Sequence, residues 1–183
     1  FYILPPAESF AIARATALKA LEIDQGCAEA HNSLGYARLY YDRDWRASER
    51  AFQRALELNP GSGITYLWYA NLLAALGRFE EALDAGSKAR ELDPLSVVAN
   101  HVVGWVYYFT RRYEESYSMM RARLEIDRLW VYGYVWCAWP LQQMARHEEA
   151  LALLEQAVAL SGGTSLTRCS LAHGLALARR PAE

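Results

Sequence analysis

The sequence holds little that interrupts regular structure. Its 183 residues include only 6 prolines and 11 glycines, which favours a helix-rich chain. Cysteine is scarce too. Cys27, Cys137 and Cys169 are odd in number and widely spaced, so they make no disulfide framework and no CxxC pair. Reduced, buried thiols in a cytoplasmic protein are the expectation. No run approaches 18 consecutive apolar residues, which excludes a membrane-spanning helix. Charge of one sign is also lacking. Lys and Arg total 19 against 21 for Asp and Glu, a net charge of −2, with no electrostatic pull toward nucleic acid or anionic membrane. The opening FYILPP has no Met, no basic leader and no small-residue cleavage site, so a piece of a longer chain is expected rather than a signal peptide.

Catalytic signatures are missing as well. There is no GxGxxG, GxxxxGK[ST], GxSxG or HExxH. His31, His101, His147 and His173 are scattered, with no i, i+4 pair, so no metal site is expected. The expectation is a non-enzymatic chain without cofactors. What the sequence does hold is apolar content of 53% and an excess of rings, 6 Trp and 12 Tyr.

The chain repeats itself. Similar helix ends close at Pro60 (RALELNP), Pro94 (KARELDP), Arg128 (RARLEIDR) and Gly162 (EQAVALSG), each 34 residues after the last. KALEIDQ ends the same way at Gln25, 35 residues before Pro60, so one extra residue is expected in the turn YYDRDW, around Asp42, Arg43 and Asp44. Within each unit, apolar residues recur at three and four, the mark of amphipathic helices. Gly77-Arg78, Arg111-Arg112 and Ala145-Arg146 divide the units into helix pairs, and Asp93-Pro94 ends one unit because Pro cannot continue the helical ladder. The periodicity predicts about ten helices, at 7–23, 28–41, 44–58, 62–76, 79–92, 96–110, 113–126, 130–144, 147–160 and 164–179. Small residues at Gly35, Ala70, Gly104, Ala138 and Ala172 mark where paired helices approach closely. Glu80-Glu81, Glu114-Glu115 and Glu148-Glu149 recur at helix starts, where they suit the positive end of the helix dipole rather than acid–base chemistry.

This spacing, with His31, Leu34 and Gly35 then Ser48, Phe52, Ala55 and Pro60, and its counterparts Tyr66, Tyr69, Ala70, Leu73 and Ala82, Gly86, Ala89, Pro94, resembles the tetratricopeptide repeat. The runs YYDRDWRASERAFQRALELNP and YANLLAALGRFEEALDAGSKARELDPLS are similar to the repeat tails of large bacterial transcription regulators, nucleotide cyclases and Ser/Thr kinases. The resemblance implies an all-α fold, an α-solenoid winding as a right-handed superhelix of antiparallel helices. One array is expected over 1–183: a half repeat at 1–26, repeats at 27–61, 62–96, 97–130 and 131–163, and a half repeat at 164–183.

In such arrays the first helix of each repeat lines a concave groove. Stacked core positions are expected at Leu34, Phe52, Leu56, Leu72, Leu76, Leu83, Val103, Tyr107, Leu124, Leu151 and Leu154. Carried over residue by residue, the groove positions are Asn32, Tyr36 and Tyr40; Leu67, Trp68 and Asn71; His101, Trp105 and Tyr108; Tyr132, Val135, Trp136, Trp139 and Gln142; then Cys169 and His173. A Trp- and Tyr-rich groove with polar tips suits a protein or peptide ligand, and it explains the excess of rings. Arrays that hold a carboxylate tail use Lys, Arg and Asn; here the matching cationic positions carry Leu67, Val98, His101 and Val102, so no carboxylate clamp is expected. The second reading is a small hydrophobic or aromatic ligand near Trp105, Trp136 and Trp139. Pro140 lies inside a predicted helix, and a kink there would re-aim Trp136 and Trp139. Leu166, Leu171, Leu175 and Leu177 are expected to leave an exposed side, and copies are expected to associate through an end of the array or through the groove.

Overall fold

The computed structural model describes residues 6–94 and 97–179, with side chains described over 8–94 and 100–179. Among the described residues every element is helical: α1 (Pro6–Ile23), α2 (Ala28–Ala37, prolonged by a wider π-helical turn over Arg38–Asp42), α3 (Trp45–Leu58), α4 (Gly63–Ala75), α5 (Phe79–Leu92), α6 (Val97–Phe109), α7 (Tyr113–Ile126), α8 (Val131–Gln143), α9 (His147–Ser161) and α10 (Ser165–Ala178). Each predicted boundary lies within two residues of the observed one when the π turn is counted with α2. The helices α3, α5, α7 and α9 begin 34 residues apart, as do α4, α6, α8 and α10. The chain divides into two units, Phe1–Ala99 and Asn100–Glu183.

The turns inside the repeats are built alike. Gly77 (φ 76°), Arg111 (φ 61°) and Ala145 (φ 58°) take the left-handed conformation. The next N–H then reaches back five residues, Arg78 to the Leu73 carbonyl at 2.9 Å, Arg112 to Tyr107 at 2.8 Å and Arg146 to Leu141 at 2.9 Å. These bonds satisfy carbonyls that the helix end would leave open. Arg43 (φ 54°) is the same corner in the second repeat, 34 residues before Gly77, but there Asp44 N–H reaches six residues back, to the Arg38 carbonyl at 3.0 Å. The extra residue is therefore absorbed in the last turn of α2, as the π turn, and the corner itself keeps its form.

The second helices are locked at their starts by a recurring ion pair. Arg78 Nε donates to Glu81 at 2.7 Å, Arg112 Nε to Glu115 at 2.9 Å and Arg146 Nε to Glu149 at 2.6 Å. Hydrogen bonds from the arginines hold all three carboxyls below the usual carboxylate range. The second acid of each Glu pair thus has a structural partner.

In the first unit Ala17, Ala30, Leu34 and Ala51 form one buried cluster, and Leu39, Phe52 and Leu72 another. In the second, Met120, Leu124, Tyr134, Val135, Cys137, Ala138, Leu141, Ala150, Leu154 and Ala157 form a continuous core. Helix pairs meet at small residues in two forms. Ser48 Oγ donates to the Gly35 carbonyl and Ser116 Oγ to the Gly104 carbonyl, both at 2.8 Å. The other two pairs place fully buried alanines at the same positions, Ala70 with Ala82 and Ala138 with Ala150.

Several expectations need correction. Leu56, Leu76, Leu83, Tyr107 and Leu151 are only half-buried, because they sit at the flanks of the helix contacts rather than at their centres. Ala172, at the place of Ala138 in the next repeat, is exposed. Only Cys137 among the thiols is buried; Cys27 is half-buried and Cys169 exposed. Leu166 and Leu175 are exposed, whereas Leu171 and Leu177 are half-buried.

Candidate functional site

Each unit carries its own aromatic cluster. In the first, α2 and its π turn present Tyr36, Tyr40 and Tyr41, α4 presents Trp68 and α1 presents Phe10. Tyr36 sits 4.7 Å from both Tyr40 and Trp68 by ring centroid, and Tyr40 meets Trp68 edge-on at 6.1 Å. Phe10 stacks on Tyr36 at 5.9 Å and on Tyr41 at 5.4 Å. Tyr40 and Tyr41 remain 44% and 45% exposed, so the cluster has an open face. Burial of the Tyr40 hydroxyl within this face, with Tyr36 beside it, pushes its pKa up to about 12.

The second unit holds the larger cluster. His101 and Trp105 lie one turn apart on α6, and Trp105 Nε1–H donates to His101 Nε2 at 2.6 Å. That bond requires the tautomer protonated on Nδ1. The His101 ring stacks on Trp136 at 3.9 Å between centroids. Burial, and the Arg123 charge nearby, lower the His101 pKa to about 4, so the ring is neutral at pH 7. Trp105 meets Trp136 at 6.0 Å, Trp139 at 5.2 Å, Tyr108 at 5.8 Å and Phe109 at 5.8 Å. Tyr132 meets Trp136 at 5.7 Å. Trp130, just before α8, packs edge-on against Trp136 at 5.1 Å, and the Arg123 guanidinium covers its ring at 4.1 Å. Phe109 and Tyr132 are 56% and 53% exposed.

The groove residues read from the sequence fall into four groups. Tyr36, Tyr40 and Trp68 come together, as do His101, Trp105, Tyr108, Tyr132, Trp136 and Trp139. Asn32 and Asn71 are half-buried; Asn71 Nδ2 donates to the Leu67 carbonyl of its own helix at 3.3 Å, and Asn32 Oδ1 is buried without a partner among the described residues. Gln142, Leu67 and Val135 are buried, as is Val102. The Gln142 amide lies beside Gly174 of α10, and Leu67 and Val135, 1% and 0% exposed, belong to the core. Cys169 and His173 are exposed on α10. Val98 lies outside the described side chains. Pro140 is buried within a helix that continues to Gln143.

Sequence reasoning missed Phe10, Tyr41, Phe109 and Trp130. Phe10 belongs to a second helix, Tyr41 reaches its place through the π turn, and Trp130 sits one residue before its helix. Phe109 is four residues after Trp105 on α6, a spacing that could have revealed it.

Away from the rings, a cleft of about 440 Å³ opens in the second unit between Tyr117, Arg121, Arg128, Tyr134 and Gln156. No group of His, Cys, Asp and Glu among the described residues could hold a metal ion. Among the same residues no helix is long and apolar enough to cross a membrane.

Residues 38–97 match the family described as Tetratricopeptide repeat. Over 85 residues the chain is 27% identical to small glutamine-rich tetratricopeptide repeat-containing protein 2 of Mycosarcoma maydis, a match covering 46% of this chain and 24% of that protein. The chain thus spans about a quarter of that relative's length. Among solved structures it is similar to YrrB, described as a TPR protein with an unusual peptide-binding site (21% identity, 90% of this chain and 84% of that one, TM-score 0.68). It is also similar to the TPR protein TTC0263 of Thermus thermophilus (22% identity, 84% of each chain, TM-score 0.72) and to PilW, a type IV pilus biogenesis factor (17% identity, 94% and 81%, TM-score 0.81). These likenesses give the fold: an all-α solenoid of paired helices.

Proposed function

Since the chain is a tetratricopeptide repeat protein, a scaffold of the kind that mediates protein–protein interaction, we propose that it binds a peptide segment of a partner on its exposed aromatic faces. The chief support is the second unit's cluster, where Phe109 and Tyr132 leave more than half their surface in water beside three packed indoles. Exposed rings of this density suit recognition, since they offer large contact area with few rotors to freeze. The first unit's Tyr36, Tyr40 and Trp68 face serves the same role, with Asn32 and Asn71 on the same two helices, as Gln142 is on the helix of Trp136 and Trp139. The peptide-binding site named for YrrB fits this reading. The chain acts as the docking or sensing part of a larger bacterial regulator, without catalysis of its own. Its three free thiols support a cytoplasmic setting.

A small aromatic ligand is less well supported. The rings of the second cluster touch one another, with centroids 3.9 to 6.0 Å apart, and these separations leave no slot between Trp105, Trp136 and Trp139 for a further ring.

Selection of random dodecapeptides displayed on phage tests the proposal. Peptides enriched on the wild-type chain should lose at least about tenfold in affinity to Phe109→Ala combined with Tyr132→Ala, two exposed positions whose loss leaves the melting temperature unchanged. Enriched peptides indifferent to this pair, and to the matching Tyr40→Ala change in the first unit, would overturn it.

A further inference from the structure

The chemistry of the second unit's ring face narrows the kind of peptide, an inference that rests on the binding role just proposed. The face is built of rings in mutual contact. Trp105, Trp136 and Trp139 fill one another's flanks, and Tyr132 extends the row along α8. Such a surface stacks against flat apolar faces.

The hydrogen-bonding capacity of its indoles is one-sided. The Trp105 N–H is held by His101, whose Nε2 is thereby occupied. The indole N–H groups of Trp136 and Trp139 and the hydroxyl of Tyr132 have no hydrogen-bond partner among the described residues. The two indole groups only donate, whereas the Tyr132 hydroxyl both donates and accepts. An ordinary extended segment brings one N–H per residue, each needing an acceptor that the indoles cannot supply. A helical ligand engages its carbonyls internally and leaves the indole donors unanswered. Proline brings a carbonyl, a flat apolar ring and no N–H.

Charge and spacing agree. His101 is neutral, and the Arg123 guanidinium is seated on Trp130, near Asp127 at 4.0 Å. The face therefore carries no free formal charge to select an acidic or basic ligand. A polyproline II helix repeats its faces every three residues, about 9 Å. Tyr132 and Trp139, seven residues apart on α8, are separated by about 10 Å along the helix axis.

We propose that the Trp105, Tyr132, Trp136 and Trp139 face binds a proline-rich, uncharged segment in the polyproline II conformation, with ligand carbonyls accepting from the indole N–H groups.

Titration of decaproline into the full chain, followed by tryptophan fluorescence and calorimetry, tests this. A Gly/Ser decapeptide and an amphipathic Leu/Lys helical peptide serve as controls. Decaproline should bind with a Kd below about 1 mM and at least about tenfold more tightly than either control. Trp136→Phe, which keeps a ring but removes the N–H, and Tyr132→Ala, at an exposed position, should each weaken it about fivefold, with circular dichroism of both variants showing the helices retained. Decaproline binding no better than the Gly/Ser peptide, or unmoved by both variants, would overturn the inference. Preference for the helical peptide, lost in Tyr132→Ala, would also overturn it while leaving the peptide-binding role standing. Failure of all three peptides, together with a phage selection that enriches nothing, would remove both.

Discussion

Leu154 keeps none of its surface in water, while Leu83, on an equivalent helix, keeps part of its own. The two should separate on truncation. Leu154→Ala is expected to cost about 2–5 kcal/mol in urea unfolding, and Leu83→Ala less than about 2 kcal/mol. The apolar stripe could not distinguish them, since a three-and-four spacing marks a side of a helix and not the centre of its contact. The same ambiguity put Leu67 and Val135 in the groove when they are core. His101 offers a second residue-scale test. Its folded pKa, about 4, lies below the unfolded value near 6.5, so the unfolded chain binds the proton more readily. The stability linked to this ring is therefore complete above pH 6.5 and lost as pH falls toward 4. Unfolding free energies from urea titration at pH 7 and pH 4.5 should differ more for the wild type than for His101→Phe, by on the order of 2 kcal/mol. Cys137 gives a third: burial pushes its thiol up to about 12. At pH 8 a thiol reagent should label the exposed Cys169 well before Cys137, which should react only on unfolding.

Among the elements, helix pairs meet either through a serine hydroxyl on a glycine carbonyl or through two alanines. The glycines differ in what stands opposite. A methyl on Gly35 would meet the Phe52 ring at 2.6 Å, and one on Gly104 would meet the flexible Met120 side chain at 3.0 Å. Gly35→Ala should therefore lower thermal stability clearly, and Gly104→Ala much less. The corners make an opposite prediction. Ala145 is exposed and left-handed, so Ala145→Gly should stabilise the chain by about 0.5–1 kcal/mol, read as a raised melting temperature. Helix boundaries were legible because four copies of one period repeat the same stop signals. The π turn over Arg38–Asp42 was legible only as a count of one residue too many. Whether that residue widens a helix or lengthens a turn depends on how the flanking rings pack, and Tyr36, Tyr40 and Tyr41 make those contacts only after folding.

Over the whole molecule, stability in an array of this kind is a sum of local terms. Neither the Leu34 cluster nor the Phe52 cluster described above includes a residue of the Leu154 core. Leu154→Ala should accordingly speed hydrogen exchange in α8, α9 and α10 while amides of α2 and α3 keep their protection, and uniform loss across all helices would contradict this. The ring faces were only partly readable at this scale. Spacing carried over from the repeat placed most of the rings correctly on their helices, but which of them touch depends on contributions from outside the first helices, such as Phe10 and Trp130. The recurring corner, with its left-handed residue and the arginine that clasps a glutamate three places on, has a further implication. A stretch excised between two such corners begins and finishes with matching chemistry. Duplicating or deleting the stretch between two of Arg78, Arg112 and Arg146 would keep the corner's own bonds at the seam, so unequal recombination in the gene could change the number of repeats at the cost of pairing a first helix with the second helix of another repeat.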